Sequence, residues 1–144
     1  MAGTPFNLDR FLAAQAPVYA RVLEELRAGR KTSHWMWFVF PQLAGLGRSE
    51  MATYYGLDGR AEAAAYLHHP VLGARLREST SIVNALEGLT VEQIFGVTDA
   101  MKFRSSMTLF ELVAGDGSEF ARALEKYFAA QRDTRTVALI ERTG

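Results

Sequence analysis

The 144-residue sequence contains no cysteine. This absence excludes disulfide frameworks, thiolate zinc sites, iron–sulfur clusters and cysteine nucleophiles together. An excess of charge of one sign is also missing, because 16 basic side chains balance 16 acidic ones. Nonspecific nucleic-acid binding relies on a basic surface, so we do not expect a general nucleic-acid binder.

Long hydrophobic runs are absent as well. The longest strongly apolar run, residues 35–40, has six residues, against the roughly 20 that a membrane-spanning helix needs. The N-terminus lacks the charged, apolar and small-residue regions of a signal peptide. We therefore expect a cytoplasmic protein that does not engage a membrane.

What is present is typical of a compact soluble domain, with 49% hydrophobic and 22% charged residues. A chain of this length forms one core, so we predict a single domain over 1–144 with an ordered core of about 6–140. Such a domain is large enough to fold without a stabilising metal ion, and we expect no cofactor.

The spacing of the apolar residues predicts a mainly α fold of seven or eight short helices. Apolar residues recur every three or four positions, as on one face of a helix, and Pro17 interrupts the first of these patterns. Cap residues mark the ends. The candidate N-caps are Asn7, Ser49, Asp58, Thr90 (in a capping box with Gln93), Asp99, Ser118 and Asp133, and the candidate C-terminal stops are Gly29, Gly88 and Gly115.

For one segment, residues 35–40, the sequence is compatible with two kinds of secondary structure. Its aromatic and β-branched content suits one short strand buried on both faces. Thr32 or Ser33 just before it would equally cap a buried helix.

The first chemically suggestive segment covers residues 30–49. It holds both tryptophans, His34 and several cations, and no acidic residue occurs from 26 to 49. Aromatic faces can stack on a ligand ring, and cations together with helix-start amides can hold phosphate. The alternative is a buried aromatic plug flanked by solvated charges.

The second such segment is residues 99–110. If Asp99 caps its helix, Lys102 and Ser106 share one face and Ser105 lies near them. A lysine and two hydroxyls in the first turns of a helix are suited to an anion. The alternative is a solvated face whose serines bond back to the helix backbone.

Candidate catalytic groups are few. His34 could be a general base, a hydrogen-bond donor to a ligand or a core residue, and Asp99 could act in acid–base catalysis. His68 and His69 adjoin a helix end, and we interpret them as structural. No metal constellation and no nucleophile elbow is present.

Several motifs carry a family resemblance. They are residues 31–43 (KTSHWMWFVFPQL), 45–49 (GLGRS), 69–76 (HPVLGARL), 94–96 (IFG) and 105–110 (SSMTLF), with Asp99 and Lys102. The chain resembles, from Phe6 to Leu139, the bacterial domain of unknown function 1810 family, whose members are often auto-labelled calpastatin. The resemblance implies a small, mainly helical, cytoplasmic domain and supplies no established activity.

A weaker resemblance concerns the domains that remove ADP-ribose from modified guanine and the related riboflavin-pathway N-glycosidases. Residues 74–76 (ARL) and the pair Lys102-Phe103 fall in the same order as in those domains, but their C-terminal tryptophan-glycine and acidic motif is absent. This weaker resemblance implies the class of ligand, and it assigns no residue as a catalytic acid.

These observations give two hypotheses. The first is a domain that binds a phosphate-bearing nucleotide or ADP-ribose-like molecule, with hydrolysis of an N-glycosidic bond as the first candidate reaction. The candidate ligand-binding residues are Lys31, Ser33, Trp35, Trp37, Gln42, Arg48, Ser49, Lys102, Ser105 and Ser106, and the catalytic candidates are His34 and Asp99. The second is a non-catalytic module that binds a partner protein, or a second copy in a homo-oligomer, through an exposed aromatic patch over 35–40.

Overall fold

The structure is a computed structural model that describes residues 6–143. It confirms the mainly α fold, with ten helices and no β-strand within the described residues. The helices are α1 (Asp9–Gln15), α2 (Tyr19–Ala28), α3 (Met36–Val39), α4 (Glu50–Tyr55), α5 (Gly59–His68), α6 (Leu72–Ala85), α7 (Val91–Phe95), α8 (Val97–Ala114), α9 (Glu119–Phe128) and α10 (Thr134–Thr143).

The helix count exceeds the predicted seven or eight for two local reasons. Pro17 separates α1 from α2 completely, and the uncertain segment 35–40 contains the one-turn helix α3 rather than a strand. The only ladder contact among the described residues is an isolated parallel bridge between Leu43 and Leu57.

Most predicted caps are confirmed. The hydroxyl oxygens of Ser49 and Ser118 accept the backbone N–H groups of α4 and α9, and Thr90 forms the capping box of α7. Oδ2 of Asp133 accepts the N–H of Thr136, 3.1 Å away, at the start of α10. Gly29 ends α2 at a left-handed φ of +75°.

Four predicted helix signals are wrong. Asn7 does not cap α1, which begins at Asp9 after Leu8, and α6 ends at Ala85, before Gly88. Asp58 occupies the N-cap position of α5 but makes no side-chain cap bond.

The fourth incorrect helix signal is Asp99, which does not cap α8 but lies inside its first turn, because that helix begins at Val97. Its carboxylate pairs with two lysines instead of the backbone.

An aromatic cluster around Phe103 of α8 anchors the α3 segment to the core. The ring centroid of Phe103 lies 5.1 Å from that of Phe40 and 4.7 Å from that of Phe95. Edge and stacked pairs of this kind add about 0.5–1.5 kcal/mol to the burial of the rings themselves. The cluster therefore fixes the polar loop before α3 beside the N-terminal half of α8.

A tight turn joins α5 to α6, and it depends on Gly73. A Cβ atom at this position would lie 1.9 Å from the carbonyl oxygen of Leu67. Nδ1 of His69 accepts the backbone N–H groups of Val71 and Leu72 in the same turn, so His69 is structural, as predicted.

We expect Gly73→Ala to destabilise the protein by about 3 kcal/mol or more, because the new methyl group overlaps backbone that cannot move without parting two helices. Chemical denaturation measures the free energy of unfolding. Gly88→Ala is the matched control: a Cβ atom there meets nothing within 4 Å, and its left-handed φ should cost only about 1–2 kcal/mol. Equal losses in the two variants would contradict the steric argument.

Candidate functional site

A buried carboxylate, Glu25 near the end of α2, organises the loop that precedes α3. Its Oε1 accepts the backbone N–H groups of Thr32 (2.8 Å) and Ser33 (3.0 Å) and the indole Nε1–H of Trp35 (2.9 Å). Its Oε2 accepts the hydroxyl of Ser33. Burial alone would raise the pKa of Glu25, but these hydrogen bonds outweigh burial and lower it to about 2.

The two segments singled out in the sequence meet at Asp99. Nζ of Lys31 lies 2.7 Å from Oδ2 of Asp99, and Nζ of Lys102 lies 3.1 Å from Oδ1. The Lys102 ammonium also lies 4.5 Å from the ring centroid of Trp37, within cation–π range. Lys31 further donates to the carbonyl oxygen of Ser33 at 2.6 Å, which ties this ion cluster to the loop held by Glu25.

This arrangement keeps Asp99 ionised. Burial acts to raise its pKa, but Lys31 and Lys102 outweigh burial and hold the pKa below its ordinary value. An ionised carboxylate paired with two ammonium groups has no proton to donate at neutral pH. Asp99 is thus placed to position the lysines.

Beside the ion cluster lies a cleft of about 290 Å³ between the N-terminal half of α8, the loop after α3 and the start of α10. Three larger grooves, of 550–600 Å³, are more open. Four predicted residues line the cleft: Trp37, Gln42, Lys102 and Ser105.

Gln42 is the unusual member of this set. The residue is 9% exposed, and its carboxamide makes no hydrogen bond to another described residue, although its backbone carbonyl accepts the N–H of Leu57. Within residues 6–143, the buried side-chain polar atoms without a partner are Oδ1 of Asn84 and Oγ of Ser106, so the carboxamide of Gln42 is not sealed off and is open to a partner from solution. The carboxamide of Gln42 therefore offers one donor face and one acceptor face to whatever occupies the cleft.

Two arginines and one aspartate that line the same cleft were not predicted from the sequence. Arg104 donates from Nε to the carbonyl oxygen of Gln131 (2.9 Å), and Arg135 donates from Nη2 to that of Leu46 (3.0 Å). Each guanidinium has five N–H donors, so both keep donors to spare. Oδ2 of Asp133 accepts the hydroxyl of Ser105 at 3.1 Å. No sequence signal distinguished Arg135 from the other exposed arginines.

Two predicted residues are fully buried. Trp35 is 1% exposed and hydrogen-bonded to Glu25, and Ser106 is 0% exposed. Neither can touch a ligand in this conformation. Lys31 has a 7% exposed side chain and contacts Asp99, and Ser33 is hydrogen-bonded to Glu25. Both residues therefore stabilise the site without lining the cleft.

The remaining predicted residues lie elsewhere. His34 is exposed and does not line the cleft. Arg48 lines a separate groove with Met51 and Tyr54, and Ser49 caps α4.

No group of three or more metal-ligating side chains occurs within residues 6–143. In the same range, each helix is too short or too polar to cross a membrane.

The family model described as protein of unknown function (DUF1810) matches residues 5–140. The chain belongs to the DUF1810 family. It is 54% identical to a solved structure, that of the conserved hypothetical protein Rv1873 from Mycobacterium tuberculosis, with a TM-score of 0.94 over 96% of this chain and 99% of that one. No curated protein matches the chain.

We expect Glu25→Gln to destabilise this DUF1810 protein by about 3 kcal/mol at pH 7. The amide removes the charge and turns an N–H group towards N–H donors, and hydrogen bonds to a charged acceptor contribute about 1.5–3 kcal/mol each, without full additivity. Chemical denaturation provides the measurement, with Glu24→Gln on the exposed neighbour as the control.

The pH dependence has a defined sign. Because folding lowers the pKa of Glu25 from 4.5 to about 2, its stabilisation is complete above pH 4.5 and is lost as the pH falls towards 2. The difference in unfolding free energy between wild type and Glu25→Gln should therefore shrink across this window. A difference that stays constant from pH 6 to pH 2.5 would contradict the role assigned to the carboxylate.

Proposed function

We propose that this protein binds a phosphate-bearing, ring-containing small molecule, of the nucleotide or ADP-ribose class, in the cleft between α8, the loop after α3 and the start of α10. The observation that carries the proposal is the carboxamide of Gln42, which has no partner among the described residues and opens into a cleft that also holds an accessible indole and several cations. Deep sites with few convergent polar groups are the usual form of small-molecule pockets.

The charge of the cleft favours an anion. Lys102, Arg104 and Arg135 line it against one carboxylate, that of Asp133. The second carboxylate nearby, Asp99, is shared between Lys102 and Lys31. The surplus of positive charge in a partly enclosed space attracts phosphate more strongly than the same charges would in open solvent.

The position of Trp37 favours a ring next to that anion. Trp37 keeps part of its indole exposed, whereas Trp35 has none to offer. The Lys102 ammonium lies 4.5 Å from the Trp37 ring centroid, so a cation and an aromatic surface adjoin. A ligand that carries both a ring and a phosphate matches this pairing.

The proposal is restricted to binding. Hydrolysis of an N-glycosidic bond needs an acid–base group that reaches the substrate, and neither predicted candidate lines the cleft. Asp99 is ionised between two lysines, and His34 lies outside the cleft.

The alternative of a binding module has no specific support. It required an exposed aromatic patch, but Trp35, Phe38 and Phe40 are at most 8% exposed. A cytoplasmic location and a homo-oligomer stay predictions.

Calorimetric titration with nucleoside monophosphates, nucleoside diphosphates and ADP-ribose tests the proposal. We expect binding by the wild type and a loss of about tenfold or more for Lys102→Ala and Gln42→Ala, since each removes a polar contact to the ligand worth about 1.5 kcal/mol.

Arg48→Ala serves as the control, because this exposed cation lines a different groove. Its affinity should stay within twofold of wild type. If no compound of the panel binds, or if the two cleft variants bind as tightly as wild type, the proposal fails.

A further inference from the structure

We infer that the ligand is a mononucleotide that lies along α8, with its base at the Trp37 end of the cleft and its single phosphate at the Arg104–Arg135 end. This inference rests on the proposed function and adds the length and the direction of the ligand.

The length comes from the helix that forms the floor. The lining residues of α8 run from Thr98 to Ser105. Seven residues of α-helix rise about 10 Å. That span accommodates one base, one ribose and one phosphate end to end.

The volume agrees with the length. At about 290 Å³ the cleft lies at the lower limit of small-molecule pockets, about 300 Å³. The second phosphate and second ribose of ADP-ribose would extend into solvent, where they gain little from the protein.

The first end of the cleft combines aromatic and apolar surface with the Lys102 ammonium, which lies 4.5 Å from the ring centroid of Trp37. Trp37 lines it together with Met101, whose side chain is 68% exposed at the first turns of α8. A flat indole and a polarizable thioether are surfaces against which a nucleobase packs. Every base also presents adjacent donor and acceptor groups, which the carboxamide of Gln42 can match in one of its two orientations.

The second end presents guanidinium groups. Arg104 donates from Nε to the carbonyl oxygen of Gln131 and from Nη2 to that of Arg132, which leaves Nη1 unused. Arg135 donates only from Nη2, to the carbonyl oxygen of Leu46. Planar guanidinium donors are the side chains best matched to phosphate oxygens.

Among the described residues that line the cleft, Asp133 is the one acidic group. Its Oδ2 already accepts hydrogen bonds from Ser105 and Thr136, and two guanidinium groups outnumber it. The local charge therefore stays positive, which favours a phosphate over a cation.

Calorimetry with four probes distinguishes the parts of this inference: AMP, adenosine, ADP-ribose and inorganic phosphate, with the GMP, CMP and UMP pairs run alongside. For the best base, we expect the monophosphate to bind at least tenfold tighter than its nucleoside and at least as tightly as ADP-ribose. Inorganic phosphate alone should bind at least tenfold more weakly than the monophosphate.

Two variants test the direction. Arg135→Gln should lower the ratio of monophosphate to nucleoside affinity at least fivefold and leave nucleoside affinity within twofold of wild type. Trp37→Ala should weaken both ligands by the same factor. Arg135→Lys, which keeps the charge and loses the fork of donors, should give a ratio between those of wild type and Arg135→Gln.

The contrary outcomes separate the two proposals. ADP-ribose binding more than tenfold tighter than every monophosphate, or Arg135→Gln weakening nucleoside and monophosphate equally, would overturn this inference while the proposed function stands. Inorganic phosphate binding as tightly as the monophosphates would likewise overturn it. If none of the probes binds, both proposals fall.

Discussion

The buried carboxylate of Glu25 is the interaction on which the rest of the site depends. An ionised group that is 8% exposed is costly unless its oxygens accept hydrogen bonds, and here they accept four, from three residues within the stretch 32–35. These hydrogen bonds stabilise the conformation of the loop. In this conformation Trp35 lies in the core and Lys31 contacts Asp99 of α8, which is 68 residues further along the chain.

The polar contacts continue from the core to the cleft without a break. Lys31 binds both the carbonyl of Ser33 and Asp99, Asp99 binds Lys102, and Lys102 lies against Trp37. Each group is held by its neighbour before any ligand arrives. For the ligand that we propose, binding to preordered side chains would lose less free energy to their immobilisation, without the buried network touching the ligand.

The sequence predicted what local chemistry decides. The caps at Ser49, Thr90, Ser118 and Asp133 hold because each hydroxyl or carboxylate finds its partner within three residues. Asp99 was misplaced because α8 begins two residues earlier, at Val97, and its remote partner Lys31 could not be identified from the sequence. Trp35 and Trp37 look equivalent in the sequence. Trp35 precedes α3 and its indole is held in the core by Glu25, whereas Trp37 lies within α3 and lines the cleft.

The polar residues of α8 show why the cleft could be found only in part. Ser105, Thr108 and Glu111 lie on one stripe and bind the segment that begins α10: Ser105 donates to Asp133, Thr108 accepts the N–H of Asp133, and Glu111 pairs with Arg132 through two 2.7 Å hydrogen bonds. These contacts offset the left-handed backbone of Ala129 and Ala130, which costs about 1–2 kcal/mol per residue. Of the three residues predicted to bind an anion here, Ser105 thus helps to hold the start of α10, whereas Lys102 lines the cleft and Ser106 is fully buried. By holding α10, the stripe brings to the cleft Arg135, which the sequence did not single out.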